Sequence, residues 1–357
     1  MAQKRRKKNR VRQKDWATDA NTTFSHDLRK HRRTDTVITQ SASISEVPDD
    51  FEPNGLVHSH SKKWAFVQRD GEEEVTTCRI SPQLGDGRST IVAAGDRVLV
   101  DDLEEGPTVI AVAPRRSKLS RLAIEHSHVD EQVFAANIDI LVIVVSVQKP
   151  VIKQGLIDRY LIAADAGYVS PVLCVNKIDL MDEEPEMIQF YRDIDIPVLM
   201  TSCETGEGLD ALRDVLAKKW AVFAGHSGVG KSTLLNCLSP ELNLDTREVS
   251  RRNEKGKHTT TLSQLHVLEG DIHVVDTPGI RQLGLWNVSP EEVSYYFPEI
   301  AELGAGCKFR DCTHIHEPDC AVRGALEEGR LNAYRYDSYV RIRGDLDESA
   351  ADYKKRS

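Results

Sequence analysis

Gly225-His226-Ser227-Gly228-Val229-Gly230-Lys231-Ser232 decides the fold of this chain. The eight residues satisfy G-x-x-x-x-G-K-[ST]. They stand between an apolar run that reads as a strand, WAVFAG, and one that opens a helix, KSTLLNCL. That context makes the stretch a phosphate-binding loop rather than a glycine-rich turn. Glycines let backbone N–H groups turn inward around a β-phosphate without Cβ clashes, and the helix N-terminus adds partial positive charge at the same point. In this reading Gly225 to Ser232, with Thr233 behind them, cradle the phosphates. Lys231 reaches the β- and γ-phosphates, and the Ser232 hydroxyl ligates Mg²⁺. His226 reads as a permissive loop position, not a base.

Three further loops fit the same pocket. Asn176-Lys177-Ile178-Asp179 follows the apolar run PVLCV. A buried Asp179 carboxylate there accepts two hydrogen bonds from the N1–H and N2 amine of guanine, a donor pair adenine lacks. Thr201-Ser202-Cys203-Glu204-Thr205-Gly206-Glu207-Gly208 follows another apolar run, and the N–H groups around Ser202 and Cys203 meet the guanine O6. Asp276-Thr277-Pro278-Gly279 ends a third; Asp276 holds Mg²⁺ through water and the Gly279 N–H senses the γ-phosphate. The order is unusual. The guanine loops precede the phosphate loop, whereas GTPases ordinarily begin with it. A permuted order builds the same pocket when the original chain ends lie close together. It also places the γ-phosphate sensor almost directly before a Cys/His-rich segment, to which we expect nucleotide state to be relayed.

The position after Asp276-Thr277-Pro278-Gly279, where Ras-type proteins carry a water-orienting Gln, is Ile280. A side chain without a hydrogen-bonding group cannot do that work. His258, in Gly256-Lys257-His258-Thr259-Thr260-Thr261, is the catalytic candidate for positioning water, against the alternative of a loop residue whose charge meets RNA. Thr259 and Thr260 compete for the switch role of closing on Mg²⁺, and Thr260 is preferred.

Cys307-x₄-Cys312-x-His314-x₅-Cys320 offers three thiolates and an imidazole. The set suits one tetrahedral Zn²⁺ with every position filled, hence a structural site. His316 is an alternative fourth ligand.

Alternating strand and helix runs from residue 117 to 286 predict an α/β domain with a mostly parallel sheet. IDILVIVVSV reads as a fully buried strand and GLIDRYLIAADAG as an amphipathic helix closed by glycine. From residue 55 to 116, short β-like runs separated by turn signals predict a small OB-type barrel. Residues 287–345 read as a mainly helical zinc-binding segment, with Ser289 as an N-cap before Pro290 and a possible helix break at Gly329. Residues 346–357 read as a frayed charged tail, and 1–54 as a basic, mostly disordered extension.

The chain carries a formal charge of −9, yet residues 1–14 hold eight Lys or Arg and no acid. A basic arm on an acidic body suggests a polyanionic partner. The longest near-apolar stretch, Ile140 to Val147, is too short to span a bilayer, so no membrane role is expected. The basic start is not followed by an apolar segment, so neither is secretion.

The permuted motifs, Pro114-Arg115-Arg116-Ser117-Lys118-Leu119-Ser120-Arg121, Gly256-Lys257-His258-Thr259-Thr260-Thr261 and the Cys/His spacing together resemble the ribosome small subunit-dependent GTPase A family. These are the circularly permuted GTPases of bacterial 30S assembly, and the match covers about residues 55–340. The resemblance implies an OB barrel, a GTPase domain and a zinc domain. It implies slow hydrolysis of GTP to GDP stimulated by the small ribosomal subunit, in late assembly, with 16S rRNA contacts from the OB and zinc domains and a cytoplasmic location. It also implies His258 as the catalytic residue and His314, not His316, as the fourth zinc ligand. Cys203 departs from the family's usual Ala. Three modules around one GTPase lead us to expect a monomer. Two other readings compete: an RNA-binding scaffold that uses GTP only as a structural ligand, and a GTPase whose client is a protein. The intact Lys231, Ser232 and Asp276 weigh against the scaffold.

Overall fold

The computed structural model describes residues 42–43, 51–84, 90–125, 128–244, 263–276 and 285–356. The N-terminal strands are β1 (Ala42–Ser43), β2 (Gly55–His60), β3 (Trp64–Arg69), β4 (Val75–Ile80), β5 (Arg97–Leu103) and β6 (Gly106–Val112). Antiparallel β5–β2–β3–β4 is closed by β6, which runs parallel to β4 and antiparallel to β5. Closure gives a five-stranded barrel, with β1 added along β6. Val57, Ala65, Val67, Cys78, Val98, Val100 and Val109 are buried together inside it, with Leu84 in the same cluster. Register shifts at Val57/Ser59 and Leu99/Val100 supply the bends that closure requires.

The segment after the barrel ties it to the α/β domain. Arg115 grips Asp96 through Nε and Nη2, both at 2.8 Å, and Asp96 also accepts from the Ala93 N–H. The next residues face the other way: the Ser117 hydroxyl donates to the Ile138 carbonyl and Arg116 pairs with Asp139. A hairpin comes next, β7 (Lys118–Glu125) and β8 (His128–Ala136). The sequence reading did not anticipate it, because its alternation is interrupted by a bulge at Leu119/Ser120.

The second sheet comes from β9 (Ile140–Ser146), α1 (Gln154–Ala166), β10 (Ser170–Asn176), α2 (Glu186–Asp193), β11 (Val198–Thr201), α3 (Leu209–Leu216), β12 (Trp220–Ala224), α4 (Lys231–Leu238), β13 (Gln264–Leu268) and β14 (Ile272–Asp276). Strand order is β11-β10-β9-β12-β14-β13, parallel except for β13 at the edge. Every residue of β9 is buried. Leu141, Ile143 and Val145 enter the core on one face, and Ile140, Val142 and Val144 enter the other. Such two-sided burial is why the run lacks polar alternation.

The C-terminal part holds α5 (Pro298–Gly304), α6 (Ala321–Glu327) and α7 (Ala333–Arg356). Ser289 and Glu292 form a reciprocal capping box, as the Ser-Pro start suggests, but the turn they open, Pro290–Tyr296, is a 3₁₀ helix. Pro298 starts α5 anew, because a proline ring cannot lie within a continuing helix. The break near Gly329 is present, and α7 begins where the Asn332 side chain accepts from the N–H groups of Tyr334 and Arg335. Backbone read from sequence as a frayed end continues as helix to Arg356. Helix α1 differs from its amphipathic reading too. Ile157, Asp158, Tyr160, Leu161 and Ile162 are all buried, because α7 covers the face opposite the sheet. Among the described residues, no helix is long and apolar enough to cross a membrane.

Candidate functional site

Four of the motif-bearing segments leave the same edge of the second sheet. Asn176 ends β10, Thr201 ends β11, Ala224 ends β12 and Asp276 ends β14, all parallel strands. The crevice beyond the carboxyl ends of such strands is where open α/β sheets bind ligands.

At the end of β12 the chain turns at Gly225 (φ +149°), where a Cβ would lie 2.1 Å from the Val144 carbonyl oxygen. At Gly230 (φ +98°) a Cβ would lie 2.4 Å from Asn176 Nδ2. The loop is therefore pressed against β9 on one side and the guanine motif on the other, and only glycine fits at both contacts. The Lys231 amine bonds the carbonyls of Gly225 and His226 at 2.9 and 3.1 Å, which folds it over the loop. Ser232 and Thr233 stand in the first turn of α4, and Asp276 is half-buried at the end of β14. His226 is exposed, its imidazole turned to the Ser227 carbonyl.

The Asn176 amide donates to the Val229 carbonyl at 2.9 Å and its oxygen accepts from the Thr201 hydroxyl at 3.3 Å. One buried side chain thus joins all three loops. Lys177, in a left-handed conformation, lays its amine across to the carbonyls of Gly228 and Lys149 at 2.7 and 2.9 Å. The motif pattern alone gave no sign of this strut. Ile178 and Asp179 lie in a single 3₁₀ turn. Asp179 is exposed, not buried as the sequence reading assumed, and its Oδ1 accepts from Ser202 Oγ at 2.5 Å. Ser202 is fully buried and also accepts from the N–H groups of Glu204 and Thr205 at 3.2 Å. A buried hydroxyl orients the carboxylate. Cys203 packs among apolar side chains. Burial, with the Cys237 thiol against it, pushes its own thiol up to about 12, so it stays neutral. His258, Thr259, Thr260, Gly279 and Ile280 lie outside the described residues.

The second constellation is in the C-terminal part. The ligating atoms of Cys307, Cys312, His314 and Cys320 all fall within 4.8 Å of one another. Cys307 Sγ and Cys320 Sγ are 3.7 Å apart, and each is 3.5 Å from His314 Nδ1. The edges of a tetrahedron with ordinary zinc–sulfur and zinc–nitrogen bonds are roughly 3.6–3.8 Å. The cluster is thus compatible with a zinc ion held through Nδ1. Exposed His316 is not part of it. Burial holds the His314 imidazole below its ordinary range, so it is neutral at pH 7, the form a metal requires. The imidazole sits over Gly304, where a Cβ would be 3.1 Å from Cε1 and Nε2. The loop is clamped by α7, whose Tyr336 and Tyr339 hydroxyls donate to the carbonyls of His314 and Thr313. Burial raises the Glu317 carboxyl, but bonds from the Thr313 hydroxyl and the Thr313 and His316 N–H groups outweigh it and hold the group far below the carboxylate range.

A family model described as RsgA GTPase matches residues 112–286. A small ribosomal subunit biogenesis GTPase RsgA from Bacteroides fragilis is 39% identical over 303 residues, covering 82% of this chain and 97% of the relative. Its counterpart from Chlorobaculum parvum is 39% identical over 298 residues, covering 79% and 95%. Among solved structures, YjeQ from Thermotoga maritima superposes with a TM-score of 0.61 at 30% identity, covering 82% of this chain and 98% of its own. YloQ, described as a circularly permuted GTPase, gives 0.57 at 29%, covering 84% and 97%.

Proposed function

Because this chain belongs to the RsgA GTPase family, we propose that it binds GTP at the carboxyl edge of the second sheet and hydrolyses it when docked on the small ribosomal subunit. The chain is a GTP hydrolase of small-subunit biogenesis; stimulation by the subunit, late-assembly timing and 16S rRNA contact are our reading. One observation carries it. The buried Asn176 side chain bonds both the phosphate loop and Thr201, so loops permuted in sequence form one pocket.

In this mechanism Asp179, oriented by Ser202, reads the guanine, and the N–H groups around Cys203 face its O6. Residues 225–233 take the phosphates, with the Lys231 amine held at the loop's mouth. Ser232 and Asp276 would hold Mg²⁺, which would supply positive charge against the phosphates. Gly279 senses the γ-phosphate, Thr260 closes over it and His258 positions the attacking water. Cys307, Cys312, His314 and Cys320 would hold one Zn²⁺, which would fix the C-terminal fold. The barrel (55–116) and the zinc domain (287–345) flank the GTPase domain (117–286) and meet rRNA. Trp64, 44% exposed beside Lys62 and Lys63, and Phe309, 41% exposed between Lys308 and Arg310, offer stacking surfaces next to cations. The protein acts as a cytoplasmic monomer.

The test is GTP turnover by the purified chain with and without purified small subunits. A rate that rises with subunit concentration supports the proposal. Turnover indifferent to subunits contradicts it, and no turnover in either condition favours a nucleotide-ordered scaffold.

A further inference from the structure

The segment between β9 and α1 has no part in the proposed chemistry, yet it is bonded to the guanine motif on both sides of Asp179. Ser146 closes β9 directly beside Asn176, the last residue of β10. Val147 and Ile152 rest against the core, but Gln148 and Lys149 between them are exposed. A cleft lined by Pro150, Ile152, His226 and Val229 lies between this segment and the phosphate loop. Hydrogen bonds, more than packing, therefore place Gln148 and Lys149. The Ser146 hydroxyl donates to the Pro150 carbonyl at 2.9 Å and closes the turn from inside. The Val147 N–H donates to the Asn176 carbonyl at 3.2 Å. The Lys149 carbonyl accepts from the Lys177 amine at 2.9 Å. Gln148 Nε2 donates to the Leu180 carbonyl at 2.8 Å.

The turn that carries Asp179 needs such support. It is a lone 3₁₀ turn, Ile178–Leu180, and none of its side chains is fully buried. Only Ile178 touches the edge of the core. Its own bonds are Leu180 N–H to the Lys177 carbonyl and Met181 N–H to the Ile178 carbonyl, both at 3.0 Å. Hydrogen-bond geometry in so short a 3₁₀ piece is poor, and it cannot fix its own position. Lys149 and Lys177, which bond each other, both hold left-handed backbone, at φ +49° and +63°. That conformation costs free energy in a residue other than glycine and persists where the surroundings hold it. Ser202 turns the Asp179 carboxylate about its own side-chain bonds. Gln148 instead holds the backbone from which that side chain hangs.

We infer that Gln148 is a positioning residue for guanine selection: its amide holds the Leu180 end of the turn while the Lys149 carbonyl, through the Lys177 amine, holds the other. The inference rests on the guanine-nucleotide reading and deepens it. Released at Leu180, the turn pivots about Lys177, and the Asp179 carboxylate leaves the plane in which it meets the N1–H and N2 amine of the base. The phosphates, taken by residues 225–233, keep their seat. The mark of a lost Gln148 amide is therefore weaker choice among bases, not a general loss of nucleotide.

The test uses the full-length chain, a fluorescent GDP with unlabelled GDP and IDP as competitors, and the variants Gln148→Met, Asp179→Asn and the pair. IDP keeps the phosphates and the N1–H but lacks the N2 amine. Methionine has the length of glutamine without its donor, and the exposed position lets the variant keep its fold. Gln148→Met should weaken GDP about threefold, near the low end for a neutral hydrogen bond open to water. IDP should weaken less, so the preference for GDP over IDP falls. In the Asp179→Asn background the same exchange should leave GDP affinity where Asp179→Asn alone puts it, because coupled sites are non-additive. A Gln148 that only stabilises the chain would weaken GDP and IDP by one factor and add its loss to that of Asp179→Asn. An unchanged preference for GDP over IDP, or additive losses, overturns the inference alone. A parent that binds GDP no better than Asp179→Asn does overturns the inference together with the assignment of Asp179, and a parent that binds no guanine nucleotide overturns the function beneath both.

Discussion

Exchanging Asp179 for Asn replaces one carboxylate acceptor with a donor at the point where we propose the base is read. In our proposal the two oxygens of Asp179 are the acceptors for the N1–H and N2 amine of guanine. Ser202 Oγ, 2.5 Å from Oδ1, fixes the plane in which they are offered. A hydrogen bond to a charged group contributes about 1.5–3 kcal/mol. Asp179 is exposed in this structure, so water competes for it, and the low end applies to each of two bonds. Asn keeps one acceptor, so one such bond is lost at about 1.5 kcal/mol and its amide sets donor against donor at a similar cost; together these come to about 3 kcal/mol, or roughly a hundredfold in affinity. The carboxamide should in turn favour xanthine, whose C2 oxygen accepts where guanine's amine donates. The assay is competition of GDP, XDP and ADP against a fluorescent guanine nucleotide, measured on the parent and on Asp179→Asn. The expected result is GDP weakened about a hundredfold, XDP strengthened, and ADP weak throughout. An Asp179→Asn protein that still prefers GDP to XDP would refute the assignment of Asp179 to the base. Ser202→Ala should shift affinity in the same direction by only about fivefold, because it loosens the carboxylate without removing it.

The other predictions concern the metal, the chemistry and the junctions. Gly304→Ala drives a methyl against the His314 ring, 3.1 Å away; overpacking of about 1–3 kcal/mol should appear as a lower melting temperature and reduced zinc content by elemental analysis. Cys312→Ser, or chelation of the parent, should unfold the C-terminal part and weaken subunit binding; full helicity and affinity after chelation would contradict a structural metal. His258→Ala should keep GTP affinity while abolishing subunit-stimulated turnover, and an unchanged stimulated rate would reassign water positioning to another group. Arg115→Ala leaves Asp96 buried without its cation, so we expect about 3–5 kcal/mol of destabilisation in chemical denaturation.

Much of this architecture was legible because strong local signals coincide with it. The β9 run is apolar from Ile140 to Val145, as a doubly covered strand is, and Gly225 and Gly230 stand where a Cβ meets Val144 or Asn176. The β7–β8 hairpin was not legible, since its bulge breaks the period that alternation relies on. Helix α1 reads as amphipathic but is buried on both faces, because the helix covering it arrives some 170 residues later in the chain. Asp158 in an otherwise apolar helix was the signal available for that contact, and a lone acid on a helix does not name its partner.

The sequence by itself determined which parts are present: a glycine-rich loop between a strand and a helix, an Asn-Lys-x-Asp segment, and three thiols with an imidazole at close spacing. Those depend on residue type and short spacing, which local covalent geometry fixes. Only the tertiary structure decided how the parts answer to one another. It showed Asn176 and Lys177 strutting the phosphate loop, Ser202 aiming an exposed Asp179, and Arg335 shared between α1 and α5. Such contacts join residues far apart in the chain, and burial makes them costly to break; neither distance nor burial is written in the order of amino acids.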